Sequence, residues 1–227
     1  MKNIDKMVTV MVAVTSLLLG IYNTWAIQNP PDSTDLVAKG NNYFDQGDYK
    51  KAINCYEKAL KLHGSYSNAL KYKGYALFNL GLNNQSLGIK LNSASVYDSP
   101  AIYATTLIEH YNSSSYVLDD SSRSYLESAY QYLQDAARSN PTDVEALLYS
   151  GILSLYLLPS PSYDPVKEFD KTLRTAEELS YKRSLHIRAV KSAAWTGKGV
   201  AYLNMGETRK AESCFRSARQ ALEMQSD

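Results

Sequence analysis

The side chains able to carry chemistry are few and scattered. His63, His110 and His186 stand far apart, with no His-x-x-x-His spacing that would set two imidazoles on one helical face for a metal. Cys55 and Cys214 form no Cys-x-x-Cys pair and are too few for a disulfide framework. Asp119-Asp120 and Glu177-Glu178 are sequence neighbours, and adjacent residues do not share a helical face, so neither pair is an acid/base couple. The two aspartates suit helix capping instead. There is no Gly-x-Ser-x-Gly elbow and no glycine-rich phosphate loop. These residues point to no enzyme, no metal and no cofactor. Asn84-Gln85-Ser86 and Asn112-Ser113-Ser114 have the N-glycosylation spacing. The first falls on an expected helix, which leaves Asn112.

Charge narrows the partners. The formal net charge of the 227 residues is +1. Without Lys2, Asp5 and Lys6 the remaining chain is neutral, so no basic face asks for nucleic acid. Tyrosine is abundant at 19, which suits rings filling the gaps between packed helices.

The elements that must position everything else are helical hairpins. In 36–62, LVAKGNNYFDQGDYKKAINCYEKALKL, Leu36, Gly40, Tyr43 and Phe44 mark one helix, and Gln46-Gly47-Asp48 breaks it. Ala52, Ile53, Tyr56, Ala59 and Leu60 then recur at the spacing of an amphipathic stripe. Neither helix can bury its apolar face alone. Residues 195–222 repeat the pattern without a gap: Gly199 answers Gly40, Tyr202 answers Tyr43, and Gly206 answers Gly47. In the second helices Ala211 answers Ala52, Cys214 answers Cys55, Phe215 answers Tyr56, and Ala218 answers Ala59. Self-similarity of this kind predicts a repeat architecture. Cys55 and Cys214 then sit in the first and last repeats, too far apart to bridge.

These motifs, with Lys-Gly-x-x-Tyr, a turn glycine, and alanine, aromatic and alanine in the second helix, resemble the tetratricopeptide repeat, a helix–turn–helix of about 34 residues. The match is close in the two terminal repeats and loose between them. The resemblance implies an all-α, right-handed α-α superhelix of about five helix pairs over residues 35–227. It also implies a protein or peptide partner rather than a reaction.

Between the terminal repeats the pairs are expected as follows. A second repeat starts near Ser67, with Leu70, Lys73-Gly74, Leu77 and Gly81 on its first helix. Its second helix, around Leu82 to Asn92, is the least regular, because Asn83, Asn84 and Asn92 weaken it. A third pair joins the helix opening at Pro100 to the stripe Tyr125, Ala129, Leu133 and Ala136. A fourth runs from Pro141 through Gly151, then from Asp164-Pro165 with Phe169 and Leu173 inward. The last pair includes Gly199 and ends near Met224, with a polar outer side suited to a terminal repeat.

Residues 1–26 read as a signal peptide or an N-terminal membrane anchor. Lys2 and Lys6 precede an uncharged apolar run, Met7 to Tyr22, and Thr24-Trp25-Ala26 offers a cleavage site. In the anchored reading residues 7–25 associate with the membrane. Either way the repeats are expected outside the cytoplasm, secreted or periplasmic, or held at the outer face of the cytoplasmic membrane. Residues 27–34, with Pro30-Pro31, form a linker, and Ser33 or Thr34 can cap the next helix.

Ligand contacts are implied by the resemblance alone, at fixed first-helix positions lining a concave groove. They fall on Asn41 and Phe44 in the first repeat and on Lys71, Tyr75, Phe78 and Asn79 in the second, with Val37 beside them. Further along they fall on Leu148, Ile152, Leu155 and Tyr156. Asn41, Lys71 and Asn79 are expected to be exposed, and Phe78, Ile152 and Leu155 to pack against neighbours. Val37 stands where the family's carboxylate clamp needs lysine, so no clamp is assigned. The expected function is a protein-interaction scaffold or adaptor of the cell envelope that takes a peptide or partner helix. The alternative is a structural or self-associating subunit whose groove is filled by its own extension or a second copy.

Overall fold

The computed structural model describes residues 32–84, 100–113, 118–179 and 185–223. The leader at 1–26 and most of the linker lie outside these residues, as does most of the irregular helix expected around Leu82 to Asn92. Among the described residues there are nine helices and no strand. They are α1 (Ser33–Asp45), α2 (Tyr49–Leu62), α3 (Ser67–Asn84), α4 (Pro100–Ser113) and α5 (Asp120–Ser139), followed by α6 (Val144–Tyr156), α7 (Pro165–Glu178), α8 (Leu185–Asn204) and α9 (Thr208–Glu223).

Aspartate caps decide where several helices begin. Asp32 accepts from the Asp35 N–H, Asp119 from Ser122, Asp143 from Ala146 and Asp164 from Lys167. Each satisfies an amide that has no partner inside its own helix. The first cap is Asp32 rather than Ser33 or Thr34, so α1 starts inside the expected linker. The two terminal hairpins turn alike. Gly47 and Gly206 take positive φ values of 78° and 75°, a region in which a side chain is strained. The amides after them close equivalent bonds, Asp48 N to Tyr43 O and Glu207 N to Tyr202 O, both at 2.9 Å.

The helices stack in pairs as an α-α solenoid, each pair leaning on the next: α2 on α3, α5 on α6, α7 on α8. The pairs are α1 with α2, α3 with α5, α6 with α7 and α8 with α9. Close approach is set by rings seated on glycines. A Cβ at Gly40 would collide with the Tyr56 ring, and one at Gly199 would stand 2.5 Å from Phe215 Cε1. Tyr56 and Phe169 are completely buried.

The third pair is not the expected one. The second helix of the second repeat is α5: a Cβ at Gly74 would stand 2.9 Å from Leu133 Cγ, and one at Gly81 2.6 Å from Leu126 Cδ2. Residues rise along α3 as they fall along α5, so the two are antiparallel. The segment between them is an insertion, and α4 within it packs on α6 and α8 instead of on α5. The stripe Leu126, Ala129, Leu133 and Ala136 is complete and faces two helix-contact glycines. It therefore suits α3 whatever the length of chain between them.

Candidate functional site

The first helices of the four pairs are α1, α3, α6 and α8, the elements that carry the expected ligand contacts. Asn41 on α1 is half-exposed, and its Oδ1 accepts the Tyr56 hydroxyl at 2.8 Å. Phe44 is buried edge-on against Tyr49, with ring centroids 5.2 Å apart, and Val37 is buried beside it.

On α3 the expected exposure of Lys71 and Asn79 gives way to burial. Lys71 is 9% exposed, because Asp143 and Glu145 at the start of α6 reach across to it at 2.9 and 3.2 Å. Burial pulls its pKa down, but the two carboxylates more than offset that and leave it above the usual lysine range. His186, in the first turn of α8, adds its Nε2 at 3.3 Å from the other Glu145 oxygen. This cluster ties three consecutive first helices together. Nothing in a single sequence pairs Lys71 with two acids more than 70 positions away, although Asp143 was legible as a helix start. Asn79 is 1% exposed and donates its amide to the Tyr75 carbonyl at 2.8 Å.

Tyr75 and Phe78 are buried in a run of rings. Tyr75 lies 4.7 Å from Tyr149, and Phe78 stands edge-on to Tyr149 and Tyr156 at 6.5 and 5.8 Å. Burial, helped by the nearby Glu145 carboxylate, pushes the Tyr75 phenol well above its ordinary pKa, so it stays protonated. Its hydroxyl and the Asn79 Oδ1 are both buried without a hydrogen-bond partner.

The first helices of the later repeats are covered. Leu148, Ile152, Leu155 and Tyr156 are all buried. Helix α4 lies on α6 and α8 with Ala104, Leu107 and Ile108 completely buried. Tyr156 donates its hydroxyl to the Leu107 carbonyl at 2.9 Å, its ring lies 5.2 Å from Tyr111, and Asn204 on α8 donates to the Tyr111 hydroxyl at 3.1 Å. A helix opening at Pro100 was expected from the sequence. What it covers was not.

Among the described residues, no group of histidines, cysteines and carboxylates could hold a metal ion, and no helix is long and apolar enough to cross a membrane. Cys55 and Cys214 are both buried free thiols.

Comparison with known proteins matches the geometry at both ends of the stack. Residues 36–66 match the tetratricopeptide repeat, and residues 192–226 match it again. No curated protein matches the chain. Among solved structures, one titled "Crystal structure of MamA protein" is 22% identical, over 84% of this chain and 92% of that one, with a TM-score of 0.33. A thermophilic TPR protein from Thermus thermophilus is 22% identical over 85% of this chain and 92% of its own, with a TM-score of 0.32.

Proposed function

Because the chain carries tetratricopeptide repeats at both ends of an all-helical stack, we propose that it is a non-enzymatic scaffold for protein partners in the cell envelope. One observation carries the location of the binding surface: the inner face is divided. Helix α4 occupies it over α6 and α8, whereas its main contacts do not extend to α1 or α3. The partner, an extended peptide or a helix, goes to the inner face of the first two repeats. There the half-exposed Asn41 reaches the ligand directly. Phe44, Lys71, Tyr75, Phe78 and Asn79 are buried and hold the wall behind it. Export, by cleaved leader or by anchor, rests on the apolar run before the repeats.

Site-specific photocrosslinking in cells tests this reading. A photoreactive residue at Asn41 should capture a discrete partner, and the same residue at the exposed Lys58 of α2 should not. Capture at Lys58 alone, equal capture at both, or capture at neither would remove the groove from consideration.

The presence of α4 on the inner face also favours a second reading, a self-associating structural subunit that supplies its own groove occupant. A sedimentation coefficient that rises with concentration over the micromolar range would support it. A monomer throughout would exclude it.

A further inference from the structure

Two of the junctions between successive pairs, α2 with α3 and α7 with α8, share one device. At each, a ring on the second helix fills the glycine notch of its own first helix, and the next pair closes its other side. Tyr56 fills the notch at Gly40, and the Tyr72 ring of the next pair lies 6.2 Å away. Phe169 meets Gly151 behind it and the notch at Gly197 ahead of it. The residue after each ring is acidic and pairs with the lysine preceding a first-helix glycine: Glu57 with Lys73 at 2.8 Å, and Asp170 with Lys198 at 2.5 Å.

The face of α9 that would meet a further first helix breaks this pattern in two ways. Phe215 fills the Gly199 notch as its counterparts do, yet it is only half-buried where they are completely buried. A cleft of about 370 Å³ opens over it, lined by Glu212, Phe215, Arg216 and Arg219. The residue after the ring is Arg216 rather than an acid, and Arg219 stands three positions on. Leu203, Met205 and Leu222 are exposed on the same last pair, at 37%, 51% and 49%. A second copy stacked in the same register would set its exposed Lys39, the lysine before Gly40, against Arg216. Like charges there oppose a head-to-tail filament.

We propose that the α9 face docks an acidic partner helix, seated where a further first helix would lie, with a small residue over the Phe215 ring and a carboxylate opposite Arg216. It is the internal junction with its charges exchanged, and it stands apart from the inner face. The Phe215 ring supplies apolar contact area, and Arg216 and Arg219, which outnumber the one carboxylate of the cleft, Glu212, select an acidic partner, since a guanidinium matches a carboxylate in a two-point pair.

The probe is a helix of this chain. A labelled synthetic peptide of residues 185–204 carries the required small residue, Gly197, and its native Lys198 gives the wrong charge. The same peptide with Lys198→Glu supplies the right one. Fluorescence anisotropy against the full chain should show the Lys198→Glu peptide binding at least tenfold tighter. Against the full chain carrying Arg216→Glu, an exposed position whose helicity is checked by circular dichroism, the order should reverse. Equal binding of the two peptides, binding of neither, or a preference untouched by Arg216→Glu would overturn the proposal.

Discussion

Tyr156 on α6 donates its hydroxyl to the carbonyl oxygen of Leu107 on α4 at 2.9 Å, and both residues are buried. A phenol bonded to the backbone of another helix fixes that helix along its axis as well as against the surface. Tyr156→Phe keeps the ring and removes the bond, while the carbonyl keeps its acceptor role within α4. The expected cost is about 0.5–1.5 kcal/mol in urea unfolding, the net worth of a typical hydrogen bond. Hydrogen exchange should also speed up along α4 more than along α2. Equal protection in the two proteins would mean that α4 is held without help from this bond.

Gly74→Leu should destabilise the fold by about 1–3 kcal/mol, because the new side chain enters the space held by Leu133. Leu133→Ala in the same chain should return part of that loss. Two neighbours that share one space give non-additive effects, whereas strictly additive costs would separate α3 from α5.

Lys71→Met should cost about 2–3 kcal/mol at neutral pH, since it leaves Asp143 and Glu145 together without their cation. The cost falls short of that for a wholly enclosed pair because the Glu145 side chain remains 22% exposed. The pH dependence has a definite sign. The folded-state pKa of Lys71 is raised, so its contribution is complete below the unfolded lysine value of about 10.4 and fades as pH climbs through the folded value. As pH rises from neutral through that range, the wild type should lose its advantage over Lys71→Met. A gap that stays constant until the protein unfolds in alkali would refute the pairing.

Cell fractionation tests export. Mature protein should begin near Ile27 outside the cytoplasm, or the full chain should remain with the membrane. Soluble full-length protein recovered from the cytosol would rule out both.

The terminal repeats were legible because their turn glycines, contact glycines and rings lie within one short hairpin, so local spacing contains the whole packing unit. The fold class followed from them. The exchange of partners in the middle of the chain was not legible. Helix α4 and helix α5 each carry a sound apolar stripe, and a stripe states that a face is buried without stating against what. The complement of α5, the pair Gly74 and Gly81, was already in view as a helix pattern. Only the closeness of Leu133 and Leu126 to those glycines shows which helix fits there. The expected exposure of Lys71 and Asn79 failed in a related way. Lys71 and Asn79 occupy positions that a stacked repeat exposes, yet the start of α6 supplies carboxylates to Lys71, and Asn79 turns its amide onto its own helix.

The insertion between α3 and α5 also sets an order of assembly. The turn joining α1 to α2 spans residues 46–48, whereas 85–119 separate α3 from α5. Closing the longer loop costs about 2 kcal/mol more chain entropy, on a logarithmic dependence of closure on length. The two terminal hairpins can therefore form early, from contacts near in sequence, and the second pair must wait for a distant helix to return. Until it does, α3 has its contact glycines uncovered beside a finished first pair. That is the point at which a nascent chain of this sequence is most open to a neighbouring molecule taking the place of α5.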